Sequence, residues 1–149
     1  MIEISRRIEI DAGHRVPDHA SKCRSPHGHR YVIIATVTGD LYEEGPARGM
    51  VIDFGALKEA MMRAVHEPFD HAFICAVGDR LADVLISEGL ADAAAGWKVV
   101  RIEDVPTAEN LARIWFRAIR DDLAVLEPRL SLTQLEVRET PNCVAIYRP

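Results

Sequence analysis

Cysteine is scarce and odd in number in this chain: Cys23, Cys75 and Cys143 stand far apart. A disulfide framework needs paired, closely spaced cysteines, so the count points to a reducing cytoplasm instead. Positive charge is short as well, with 18 Lys and Arg against 23 Asp and Glu and a net charge of −5. No long basic run is available to meet nucleic acid or an anionic membrane, and an anionic substrate has to be met by a local cluster of cations. The longest apolar run, Tyr31 to Val37, is far too short for a bilayer, which takes about 20 residues. Residues 2–14 alternate in polarity and contain no apolar block, so no secretory leader is expected. Internal repeats and low-complexity tails are also missing. What remains is 149 residues, 48% hydrophobic and 28% charged, which fits one domain over residues 1–149 with a core of its own.

Histidine, by contrast, is concentrated. The stretch from Gly13 to Tyr31 holds four of the six histidines and one cysteine. His27 and His29 are two apart, and in a β-strand alternate side chains share a face. Tyr31, Ile33, Ala35 and Val37 continue the same parity as a buried row, which sets two imidazoles at the end of a core-facing strand. The first strand alternates too, with Ile2, Ile4, Ile8 and Ile10 opposed to Glu3, Ser5, Arg7 and Glu9, and its inward parity reaches Ala12 and His14. His14 can therefore join His27 and His29 from a neighbouring strand. Three histidines with one open position describe a catalytic zinc, and four closed ligands a structural one. Cys23 fits either picture, as a fourth ligand or as a free nucleophile or base.

Along the rest of the chain, Arg15 to Pro26 reads as a loop and His27 to Gly39 as the second strand. Asp53 is the expected cap of a helix carrying Leu57, Ala60, Met61, Ala64 and Val65, with Pro68 as its stop. A second helix is expected around Leu81, Val84 and Leu85, ending near the alanines before Gly96. Trp97 to Ile102 reads as a strand. Thr107 caps a helix with Leu111, Ile114, Trp115, Ala118 and Ile119 as its stripe. Strands Leu132 to Glu139 and Cys143 to Tyr147 flank a Thr140-Pro141-Asn142 turn. The order is α+β with antiparallel hairpins.

Several polar groups can do chemistry. Glu139 falls on the apolar side of its strand, where a charge is costly unless something pairs with it; a planar heterocycle with parallel N–H donors is one such partner. Asp70 beside His71 can form a proton relay. Cys23 is reactive as a thiolate, favoured by zinc, histidinium or the nearby Lys22 and Arg24. Thr107 and Glu109 suit a helix N-terminus before they suit a ligand. His19 and His66 have no evident partner and read as surface residues.

Taken together these pieces resemble the 6-pyruvoyltetrahydropterin synthase / 6-carboxytetrahydropterin synthase family. The carrying residues are Ala12-Gly13-His14-Arg15, the C-x3-H-G-H run from Cys23 to His29, Ile52-Asp53-Phe54, Asp70-His71, Pro106 to Asn110, and Glu139-Thr140. The resemblance implies Zn2+ held by His14, His27 and His29, with Cys23 as proton acceptor and Asp70 and His71 as its relay. It implies Glu139 as anchor of a pterin ring, with Thr107 and Glu109 as further substrate-binding candidates. It also implies the tunnelling fold, a four-stranded antiparallel sheet with helices on one face, assembled into barrels, usually homo-hexamers with active sites between subunits. The three-residue interval between Cys23 and His27 is similar to the 6-carboxy branch, which feeds queuosine and other deazapurines. The implied lyase reaction converts 7,8-dihydroneopterin triphosphate and water to 6-carboxytetrahydropterin, acetaldehyde and triphosphate. Alternatives are a 6-pyruvoyl synthase and a non-catalytic zinc-stabilised module that uses Cys23 as the fourth ligand. Between Asp70-His71 and Pro106 the chain is longer than the compact bacterial members it resembles, with Arg80 to Gly96 as the extra segment, which can alter the entrance, the oligomer contacts or the substrate.

Overall fold

The alternation that opens the chain becomes a long antiparallel ladder. In the computed structural model, which describes residues 2–91 and 96–149, β1 (Ile2–His14) pairs with β2 (His27–Gly39) from Ile2 opposite Gly39 to His14 opposite His27. Side chains of one parity face inward: Ile8, Ile10, Ala12 and His14 from β1, Tyr31, Ile33, Ala35 and Val37 from β2, all buried. Beyond β2 lies β5 (Ser131–Thr140), and β6 (Cys143–Tyr147) returns after the Pro141-Asn142 turn. These four antiparallel strands match the expectation.

The sheet is wider than expected, however: with β3 (Phe73–Ala76) and β4 (Val99–Ile102) it has six strands, in the order β4-β3-β1-β2-β5-β6. These two short strands add in parallel beyond β1 and make the sheet mixed. The physical reason is the edge of β1. Its backbone groups at Gly13 and His14 need partners once buried. Strand β3 supplies them through the pairs Gly13–Phe73 and His14–Ile74, extended by Gly13 N–H donating to Ala72 C=O at 2.9 Å. So the added strands brace the end of β1 that carries His14.

Helices cover one face. α1 (Phe54–Met61) starts at Asp53, whose carboxylate accepts the Gly55 N–H at 2.6 Å, as the cap predicts. The helical run does not stop at Pro68. It widens into a π-turn over Met62–His66 and continues as α2 (Glu67–Phe69), ending at Phe69, one residue past Pro68; the widened turn is where the helix accommodates the missing proline N–H. α3 (Arg80–Ala91) follows β3; the alanine stretch expected at its end, residues 92–95, lies outside the described residues. α4 (Ala108–Leu126) lays Leu111, Ala112, Trp115, Phe116, Ile119 and Leu123 onto the sheet, all buried. Each such large apolar side chain stabilises the fold by about 1.5–3 kcal/mol on burial. Among the described residues no helix is long and apolar enough to cross a membrane.

Candidate metal centre

The three histidines meet where β1 ends and β2 begins. His14 is 2% exposed, and its cross-strand partner is His27, while His29 sits opposite Ala12 on the same face. One nitrogen from each ring lies within 4.8 Å of the other two. Ring centroids are 4.5 Å apart for His14 and His27, 5.1 Å for His14 and His29, and 5.0 Å for His27 and His29. The strand period and the β1–β2 register together thus deliver the cluster that the sequence suggested.

Hydrogen bonds on the far side of two rings decide what the near side can do. His14 Nδ1 is 2.6 Å from the Pro106 carbonyl, and His27 Nδ1 is 2.8 Å from the Ser25 carbonyl. A carbonyl only accepts, so both Nδ1 atoms carry the proton and both Nε2 atoms present lone pairs. Those two Nε2 atoms face each other at 3.1 Å. Two lone pairs at that distance repel unless a cation stands between them. Two nitrogens on one tetrahedral ion at usual bond lengths are about 3.4 Å apart, close to what is found. Burial, with the charges of His27 and His29, pushes His14 down to about 4 against the opposing bond to Pro106, and burial lowers His29 too. Imidazoles kept neutral are ready ligands, and the donor set fits a divalent metal ion.

Around this cluster sit the other groups. Glu139 continues the inward row of Leu135 and Val137, and its Oε1 is 3.8 Å from His14 Nε2. Burial pushes its carboxyl up, the charge of Glu109 adds to this, and His27 partly offsets it. Glu109 is exposed in the first turn of α4, so its charge reaches the site from the rim. Thr107 is engaged as the cap, its hydroxyl accepting the Asn110 N–H at 3.3 Å. Tyr31 forms the floor, its ring 5.8 Å from His14 and 5.5 Å from His29, with its hydroxyl buried and unpaired among the described residues. Sequence reasoning gave Tyr31 only a core role; its place two residues after His29 on the same row was the available signal. Arg138, Glu139 and Thr140 share with His29 an open cleft of about 670 Å³.

Cys23 is half-buried in a single 3-10 turn, Lys22–Arg24, whose position is tied by Val16 N–H donating to the Cys23 carbonyl at 2.8 Å. Its sulfur is not part of the nitrogen cluster. Asp70 and His71 form a corner after α2. His71 adopts a left-handed φ of 58°, and its N–H donates to Asp11 C=O at 2.7 Å. Asp70 accepts the Asp11 N–H at 3.0 Å with one oxygen and His71 Nδ1–H at 2.7 Å with the other. Burial works to raise the Asp70 carboxyl, but the Asp11 N–H and the two histidines outweigh it and leave it below the usual range. His66, expected to have no partner, stands 3.8 Å from Asp70; the helical i, i+4 spacing was the signal. Lys98 donates to the carbonyls of Glu67 and Asp70 and closes the corner. His71 and His29 share a shallow depression of about 800 Å³ with Arg30, Trp97 and Lys98. No hydrogen bond among the described residues joins Cys23 to Asp70 or His71 within the chain.

Comparison with known proteins shows the family and the fold. A sequence model of the family described as 6-pyruvoyl tetrahydropterin synthase matches residues 3–149. The 6-carboxy-5,6,7,8-tetrahydropterin synthase of Rickettsia bellii is 38% identical over 143 residues, covering 96% of this chain and 97% of that protein. The enzyme of that name from Haemophilus influenzae is 30% identical over 149 residues, covering 99% of each. Among solved structures, an uncharacterized protein from Wolinella succinogenes superposes with a TM-score of 0.78 at 23% identity, covering 99% of this chain and 97% of that one. The Caenorhabditis elegans 6-pyruvoyl tetrahydropterin synthase gives 0.68 at 22% identity, covering 99% and 95%. At those identities the structural likeness speaks for the fold alone.

Proposed function

The chain belongs to the 6-pyruvoyl tetrahydropterin synthase family, and from that premise we propose that it is a zinc-dependent 6-carboxy-5,6,7,8-tetrahydropterin synthase. The reaction takes 7,8-dihydroneopterin triphosphate and water to 6-carboxytetrahydropterin, acetaldehyde and triphosphate. The observation that carries the reading is the trio of imidazole nitrogens within 4.8 Å of one another, with the Glu139 carboxylate 3.8 Å from one of them. Curated relatives named for the 6-carboxy activity, matched over nearly their whole length, support this branch over the pyruvoyl one.

His14, His27 and His29 would hold the ion, which supplies positive charge that acidifies C–H groups beside the substrate oxygens it binds. Glu139 receives the ring. A half-buried carboxylate is costly to leave unpaired, and two parallel N–H donors from a planar heterocycle would offset the burial that raises its pKa. Glu109 and Thr107, at the start of α4, border the same site and complete the substrate contacts. Cys23, left out of the nitrogen cluster, removes and returns protons as triphosphate leaves and the side chain is cut. Asp70 orients His71 by accepting its Nδ1–H, which makes the pair a relay for the thiol. The family resemblance implies active sites between subunits, so the relay would serve a Cys23 across a subunit boundary in a homo-oligomer, a hexamer by resemblance. Residues 1–149 act as one domain, in the cytoplasm.

Product analysis tests the proposal. Incubation with 7,8-dihydroneopterin triphosphate should release acetaldehyde and 6-carboxytetrahydropterin in equal amounts. A product that keeps all three side-chain carbons would make the protein a pyruvoyl-type synthase. Absence of turnover, with metal lost when Cys23 is changed to Ala, would make it a zinc-stabilised module.

A further inference from the structure

The segment Pro106 to Asn110 contributes a cap to α4, but its Asn110 has a second arrangement of bonds that the cap does not explain. Pro106 is buried, and its carbonyl is the acceptor for His14 Nδ1. In a helix begun one residue earlier, that carbonyl would take the N–H of Asn110. Here the Thr107 hydroxyl takes that N–H instead, which leaves the Pro106 oxygen free for the imidazole. The carbonyl must also point the right way. Val105 C=O accepts two donors, Thr107 N–H at 2.8 Å and the Asn110 side-chain Nδ2 at 2.9 Å. The first bond closes a three-residue turn around Pro106, whose ring already fixes φ. The second clamps that turn to the body of α4. Arg113 completes the clamp: it donates to Asn110 Oδ1 at 3.2 Å and pairs with Asp104 on the other side of the loop.

We propose that Asn110 is a positioning residue for the metal site: by clamping the Val105–Thr107 turn it aims the Pro106 carbonyl at His14 Nδ1, which fixes the ring's tautomer and turns Nε2 toward His27 and His29. An asparagine is suited to this. It donates to Val105 and accepts from Arg113 at once, whereas aspartate can only accept and would repel the Val105 carbonyl. Groups that orient a metal-binding histidine from outside typically change metal affinity by about 10–100-fold when lost. The inference rests on the triad reading, but its failure is separable from the failure of that reading.

The test uses the full-length protein and zinc as the probe. In the metal-free wild type, 15N-resolved NMR should find His14 protonated at Nδ1; an Nε2-protonated ring overturns the inference whether or not any variant folds. Asn110→Ala should bind zinc about tenfold more weakly in chelator competition, and Asn110→Asp should be at least as weak. Asp53→Ala, which removes the cap of the remote α1, should lower Tm while leaving zinc affinity unchanged. If Asn110→Ala lowers Tm as Asp53→Ala does and leaves zinc affinity at the wild-type value, Asn110 only stabilises a helix end and the proposal is wrong. A wild type that binds no zinc would sink the triad reading itself.

Discussion

Two polar clusters lie near the end of β1, and they are built in opposite ways. The triad of His14, His27 and His29 stands on strands, faces the core, and has two of its rings anchored to backbone carbonyls at 2.6 and 2.8 Å. The Asp70-His71 corner hangs from a helix end in a left-handed kink, with the His71 side chain 77% exposed. The first arrangement removes rotational freedom before any ligand arrives, which is what holding an ion requires. The second fixes the carboxylate firmly, through Asp11 N–H, and leaves the imidazole open to whatever approaches. A group that shuttles protons has to meet its partner, so exposure is useful there. The contrast teaches how the two proposed roles differ physically: burial and backbone anchoring suit a site that would hold an ion, and a pinned carboxylate beside an exposed imidazole suits one that would transfer protons.

That contrast can be broken most forcefully at His29. His29→Ala should reduce metal affinity by more than about 100-fold and abolish turnover, measured by metal content after dialysis. Retention of stoichiometric metal would remove the triad. Cys23→Ala comes next: turnover should fall by about 10²–10⁴-fold with metal content and Tm unchanged. Lost metal would make the thiol a ligand. His71→Ala should lower turnover by about 10–100-fold, again with full metal, if the corner transfers protons as proposed and holds no metal. A drop in metal content there would erase the distinction between the two clusters.

The smallest effect on chemistry, and a clear one on stability, is expected at Asp79. Its carboxylate, buried after β3, receives Arg15 Nε–H at 2.8 Å and the Leu81 N–H at 2.9 Å, and so ties the residue after His14 to the start of α3. The bond from Arg15 holds its pKa below the usual 3.8, against the opposing effect of burial. A carboxyl depressed in the folded state stabilises the protein above about pH 4, and that contribution disappears as pH falls through the folded value. Asp79→Asn should therefore cost about 2–3 kcal/mol at pH 7 in denaturant unfolding, with a smaller deficit near pH 3. An equal deficit at both pH values would show that the ion pair is not the cause.

How much of this was legible beforehand follows from where each residue lies. The triad was readable because strand parity is rigid: His27 and His29 share a row with Tyr31 and Ile33, and Ile8 and Ile10 lead to His14. Asp53 and Thr107 were readable as caps because their chemistry is local. The strand at Trp97 to Ile102 was readable and is found as β4, Val99–Ile102, but β3 is only four residues long, and the joining of both to the edge of β1 is a long-range pairing that no local pattern shows. Pro68 marked the end of the run to within one residue, but not the π-turn that precedes it. The anchoring of His14 by Pro106 joins residues 92 positions apart, and no spacing rule reaches that far.

The most direct test of the central claim is X-ray absorption at the zinc edge of the metal-loaded protein. The account predicts nitrogen and oxygen neighbours at about 2.0–2.1 Å, fitted by three imidazoles, and no sulfur. A sulfur shell near about 2.3 Å would place the thiol on the ion and contradict it.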